Sequence, residues 1–238
     1  MKWEHRLALL GVVLLAVGHS MGLFVAPREV MMGDVGRILY VHVPTAWVAL
    51  VMYLIAFVCA IGTLWTGRRA WDATMEGSVE VGAVLNALLL VQGSIWARPT
   101  WGIWWTWDPR LTTAAVLLVL FIVVLVLRRT IEQTERRMTA TAVATIVAFV
   151  DVPIVYFSVK WWRTLHQPFS NPKTVSSSMV LPLRIAAFGM LFLALGYMLR
   201  RRSMALARLA EEDDAPDLPE LPPQIQTGSS GTNGGRSS

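Results

Sequence analysis

With 238 residues, 55% of them hydrophobic and 16% charged, the chain is too apolar for an ordinary soluble domain and reads as a membrane protein. Its net charge of +5 is carried by short arginine clusters that flank apolar runs, which argues against a nucleic-acid-binding patch and instead marks membrane topology. The one cysteine, Cys59, lies inside an apolar run. A single thiol forms no internal disulfide and is a poor nucleophile in lipid, so thiol chemistry is not expected of this chain.

A helix needs about 20 apolar residues to cross the hydrocarbon core. Six runs meet or approach that length: residues 7–26, 39–66, 81–97, 111–127, 139–159 and 182–199. The predicted fold is therefore an all-α polytopic membrane protein, with six transmembrane helices over residues 1–202. The first run follows Lys2 and Arg6 as a signal peptide would, but its length and the missing A-x-A-like cleavage motif predict a retained span. RILYVHVPTAW leads into the second span, with His42 at its mouth and Pro44 expected to kink it. The third carries Asn86 and Gln92. Between the third and fourth lies RPTWGIWWTWDPRLTT, where Trp101, Trp104, Trp105 and Trp107 fall within seven residues. The fifth carries Asp151, the one acidic residue in a predicted span interior, and Pro153, a second expected kink. SVKWWRTLHQP follows it, bearing Trp161, Trp162 and His166. No internal repeat is visible. From residue 203 to 238 the chain turns acidic, then Pro-rich, then Gly/Ser-rich, which predicts a disordered cytoplasmic tail.

The arginine clusters at 68–69, 128–129, 136–137 and 200–202 all fall on one side of this weave. With Lys2, Arg6 and Arg208 that side carries 12 basic residues against 8 on the other, Arg236 aside. The positive-inside rule places it, and both termini, in the cytoplasm. The Trp-rich loop, His42 and His166 then share the outer face.

Trp161 and Trp162 read equally well as members of an interfacial aromatic belt. The spacing of Trp101, Trp104 and Trp105 predicts a short helix presenting all three on one face, a platform for a large planar ligand. Asp108 and Pro109 have the preferred types for a helix cap and first helical position, and capping is a sufficient role for Asp108. His5 and His19 read as hydrogen-bonding residues. His42 and His166 sit beside the aromatic run, and two neutral imidazoles can ligate one metal centre. Haem would use both the platform and the pair. Its propionates would account for outer basic residues such as Arg98 and Arg110, through the planar fork of arginine. Lys160 and Arg163 fit headgroup contacts better. Asp151 is an intramembrane carboxylate and so a functional candidate without an assigned role. Asn86 and Gln92 can partner it or join helices.

WGIWWTWDPRLTT resembles the WWD motif, WGxxWxWDxRLT, of haem-handling membrane proteins. Together with YVHVPTAW and SVKWWRTLHQ, it makes residues 20–200 similar to the CcmC family of the cytochrome c maturation system. Pro109 stands where a small residue is expected, as in the WDP motif of related cytochrome c synthases, and Leu111 and Thr112 restore the CcmC-like ending. The resemblance implies that His42 and His166 are axial ligands of haem b, bound transiently and non-covalently. It implies that Trp101, Gly102, Trp104, Trp105, Trp107 and Asp108 contact the haem and places Arg110 at the motif's basic position; a contact of Arg110 with a propionate is inferred from its charge and fork geometry. It implies a multi-pass protein of the bacterial inner membrane, in contact with lipid and not nucleic acid, that presents haem at the periplasmic face to the chaperone CcmE. CcmD and the ABC-transporter components CcmA and CcmB are the further implied partners. No GxxxxGK[ST] loop occurs in the chain, so ATP use belongs to a partner and no enzyme activity is expected. The alternatives are a cytochrome c synthase-type haem lyase, a membrane b-type redox cytochrome and, on Asp151 alone, a permease.

Overall fold

The structure, a computed structural model, describes residues 2–166 and 177–214. It is all-α, with α1 Trp3–Ser20, α2 Leu39–Thr66, α3 Arg69–Trp101, α4 Pro109–Thr130, α5 Thr134–Phe149, α6 Asp151–Trp161 and α7 Ser177–Asp214. A π-helical turn extends α1 to Val25, and a 3-10 turn from Asp34 leads into α2. Among the described residues, six helical segments are long and apolar enough to cross a membrane, as expected. The expected kink of span five is a break: α5 and α6 meet at Val150, and Pro153 sits in the first turn of α6, where its missing N–H costs little. Pro44 lies inside α2 without interrupting it.

Phe121 of α4 stacks on Tyr53 of α2 with ring centres 3.8 Å apart. Around this pair α2 to α6 bury a common core that includes Met75, Val79, Leu117 and Val155. α1 packs mainly along α7. The approach is close because Gly189 has no side chain: a Cβ there would lie 2.6 Å from the Leu15 backbone nitrogen. This is small-residue packing of the kind that joins helices in lipid.

Two expected boundaries move, for one reason. The third span was expected to begin at residue 81, but α3 begins at Arg69 and carries Asp72, Glu76 and Glu80 on one face. Asp151 is therefore not alone as an acidic residue within a membrane-length helix. The α3 acids are paired. Arg128 of α4 donates to both oxygens of Asp72 at 2.8 and 2.5 Å and lies 2.8 Å from Glu76. Arg208 reaches Glu76 at 2.7 Å, and Arg201 reaches Glu80 at 2.6 Å. These bonds, with the burial of Ala205 and Leu209, carry α7 through residue 203, where the tail was expected to start, to Asp214. Arg137 of α5 closes the cluster on Glu212 at 2.5 Å. Residues 215–238 of the expected tail lie outside the described residues.

Candidate functional site

At the end of the bundle opposite these arginines, α2 and α4 begin and α3 and α6 end. A cavity of about 230 Å³ opens between them. Its walls are mostly apolar, with Leu39, Val43 and Leu50 from α2, Leu89 and Leu90 from α3, and Leu111 and Ala114 from α4. Among the expected site residues, His42, Trp101, Trp105, Arg110 and His166 line it. Gly102, Trp104, Trp107 and Asp108 are not in the lining.

His42 lies in the first turn of α2 and is 8% exposed. Its ring meets Trp96 edge-on at 5.4 Å, and Gly93 leaves room beside it, since a Cβ there would sit 3.5 Å from His42 Cε1. The His166 ring centre is 6.5 Å from that of His42, with the ring planes tilted by 35°. Two imidazoles on opposite sides of one metal, each bonded at about 2 Å, have ring centres roughly 6 Å apart. The pair therefore fits a shared metal. His42 Nδ1 is buried and has no hydrogen-bond partner among the described residues. No group of three or more His, Cys, Asp or Glu is suited to a metal ion among the described residues. Two imidazoles alone make a poor cage for a bare ion but complete the coordination of iron already held by a porphyrin.

The tryptophan loop departs from expectation. Gly102, at φ +80°, ends α3 one residue after Trp101, its N–H returning to Arg98 O at 3.0 Å. Arg98 in turn donates to Gly102 O at 2.5 Å. Pro109 holds Asp108 extended, at φ −62° and ψ 141°, so no short helix forms between these stops. Trp101 and Trp105 face the cavity, whereas Trp104 is 59% and Trp107 80% exposed. Trp105 and Trp107 meet edge-on at 5.9 Å.

Asp108 caps α4 as expected, accepting from Arg110 N at 2.9 Å with Pro109 at the first helical position. Its carboxylate also accepts from Thr164 Oγ1 and Leu165 N, each at 2.7 Å. Arg110 donates to Val155 O at 2.5 Å and Tyr156 O at 3.2 Å, which ties α4 to α6 at the cavity wall. Of the four outer basic residues considered for propionates, Arg110 alone lines the cavity. Lys160 stands 5.7 Å from the Phe157 ring, and Arg163 is exposed. Asn86 and Gln92 do not bond Asp151. Asn86 donates to Tyr53 Oη at 3.4 Å and Ala114 O at 3.3 Å, and Gln92 to Thr45 Oγ1 at 3.4 Å.

Sequence reasoning missed Trp47, Trp96 and Tyr156 in the lining and Thr164 beneath His166. A signal for Trp96 existed: Gly93, Trp96, Ala97 and Thr100 recur at helical spacing and lead to Trp101 on the cavity side of α3.

The family model described as heme exporter protein C, CcmC, matches residues 1–215. A protein of Bradyrhizobium diazoefficiens named heme exporter protein C is 34% identical over 212 residues, covering 84% of this chain and 80% of its own. Its namesake in Escherichia coli is 36% identical over 190 residues, covering 79% and 77%. That of Haemophilus influenzae is 37% identical over 212 residues, covering 87% and 86%. The chain, a polytopic all-α membrane protein with a paired-histidine cavity, belongs to the CcmC family.

Proposed function

We propose that this chain handles haem for cytochrome c maturation, holding haem b without a covalent bond in the cavity and handing it to the chaperone CcmE. His42 and His166 are the axial ligands, Trp96, Trp101 and Trp105 flank the porphyrin, and Arg110 is the cavity cation available to a propionate. The observation that carries this reading is the 6.5 Å imidazole pair inside an apolar, tryptophan-lined cavity. An apolar pocket with a few convergent polar groups is the usual form of a cofactor-sized site. Two imidazoles hold the iron, while the exposed Trp104 and Trp107 beside the cavity offer an aromatic surface to the receiving protein.

The arginine excess orients the bundle, with the paired-arginine end and both termini in the cytoplasm and the cavity at the periplasmic face of the bacterial inner membrane. CcmD, CcmA and CcmB are the partners of this assembly, and ATP is used by the transporter components. This chain performs delivery and no catalysis.

The test is a visible spectrum of the detergent-purified protein, oxidised and reduced, beside His42→Ala and His166→Ala. A co-purifying low-spin bis-histidine spectrum, lost or shifted in both variants, is the expected result. An unchanged spectrum in both variants would refute the ligand assignment. Haem that stays on this chain in the presence of CcmE would instead make it a b-type redox cytochrome.

A further inference from the structure

Asp108 is only 6% exposed, yet it is absent from the cavity wall. Its carboxylate accepts three bonds: one from the α4 backbone and two from the segment that carries His166. That segment needs holding. α6 ends at Trp161, where Trp162 N closes on Ser158 O at 3.0 Å, and His166 follows five residues later outside any helix. Thr164 links the two. Its hydroxyl donates to Asp108 Oδ1 at 2.7 Å and accepts from His166 N at 3.0 Å. A threonine hydroxyl has one hydrogen, so spending it on the carboxylate turns its lone pairs toward the His166 amide. Bonds to an ionised carboxylate are about twice as strong as neutral ones. Asp108 also starts the helix that carries Arg110 into the cavity, so one side chain sets the loop and the helix in register.

We propose that Asp108, acting through Thr164 and the Leu165 amide, is the positioning residue for His166, fixing the backbone that presents its imidazole to haem iron. The inference rests on the reading of His166 as an axial ligand. An imidazole on an unheld segment must be ordered as the iron binds, which weakens the bond; a pre-ordered one escapes that cost. Asp108 thus serves the haem at one remove and without touching it.

The test separates capping from positioning. Asp108→Ser keeps a preferred helix cap but is too short to hold Thr164 and Leu165 as well. Thr164→Val keeps the shape and removes the hydroxyl, whereas Thr164→Ser restores it. Each variant is purified as the full chain in detergent and titrated with haem, with and without added imidazole. Asp108→Ser and Thr164→Val are expected to bind haem about 10- to 100-fold more weakly, the range for losing a group that orients a metal ligand. The haem they retain is expected to be high-spin, returning to low-spin with imidazole. Thr164→Ser is expected to keep the low-spin spectrum.

Wild-type affinity and a low-spin spectrum in Asp108→Ser and Thr164→Val, with both lost in His166→Ala, would overturn the positioning role and leave the ligand assignment standing. Haem loss that imidazole does not reverse would also overturn it, by marking a general packing defect. A low-spin spectrum retained in His166→Ala would bring down the ligand assignment and this inference with it. If Asp108→Ser does not fold, the two Thr164 variants decide the question by the same criteria.

Discussion

The two ends of the bundle are built from the same helices and solve opposite problems. At the arginine end, α3 supplies Asp72 and Glu76, both buried, and α4 and α7 answer with Arg128 and Arg208 at 2.5–3.0 Å. At the aromatic end the same α3 supplies Gly93, Trp96, Ala97 and Trp101 to a cavity, and His42 Nδ1, Trp96 Nε1 and Gln92 Oε1 there are buried without a partner among the described residues. At the arginine end the Nε atoms of Arg128 and Arg137 are also unpartnered, but other nitrogens of both guanidinium groups are paired with carboxylates. A buried polar atom without a partner costs stability unless a ligand or water completes it. The contrast teaches that cohesion and the proposed binding are separated along the helix axis. Charge pairing locks one end, and the other is free to keep open space and unspent coordination.

That separation can be broken in order of expected size. Arg128→Met leaves Asp72 as an uncompensated buried charge and Glu76 with Arg208 alone, and is expected to destabilise by about 3–5 kcal/mol. The check is thermal unfolding in detergent, with haem per folded molecule unchanged; a selective loss of haem at normal stability would contradict the division. Ending the chain after Arg202 removes buried Leu209 together with the Arg208 and Glu212 bonds. About 2–3 kcal/mol is expected from the apolar burial alone, read as a lowered melting temperature. At the aromatic end, Trp105→Ala is expected to weaken haem binding by about 1 kcal/mol, roughly fivefold, while leaving stability almost unchanged. Trp104→Ala, which removes a ring exposed beside the cavity, is expected to change affinity less than about twofold, the value for a surface substitution. Equal effects from the two tryptophans in a haem titration would refute the inward and outward assignment. The smallest effect belongs to Gly93→Ala. Its Cβ would rest at ordinary contact distance from His42, so stability should change by no more than about 0.5 kcal/mol and the haem spectrum should be unmoved.

The sequence was most legible where one residue type has one local job. Asp108 and Pro109 announced the start of α4, and the long apolar runs announced the spans. The histidine pair was legible by company, each member lying next to tryptophans on the same side of the weave, and the structure brings the rings together. Reading failed where tertiary partners override local cues. Asp72, Glu76 and Glu80 look like a boundary until Arg128, Arg201 and Arg208 arrive from distant helices to pair them. The same partners extend α7 beyond the apparent end of order. The tryptophan spacing suggested a helix, but Gly102 and Pro109 forbid one between them, so the rings divide between cavity and exterior. Thr164 gave no signal, because its role exists only once Asp108 faces it across 56 positions of sequence.

α3 also acts as a ruler. From Glu80, the last of the paired acids, to Trp101 the helix rises about 32 Å, close to the ~30 Å of a bilayer's hydrocarbon core. The acids and their arginines are thereby set at one interface and the tryptophans at the other, with little slack for tilt. A bilayer a few Å thinner or thicker must either tilt α3 or drag charges or indoles out of register, at a cost of fractions of a kcal/mol per Å. Lipid thickness is thus mechanically linked to the mouth of the cavity, and under the proposed function acyl-chain length becomes a physical variable of haem loading.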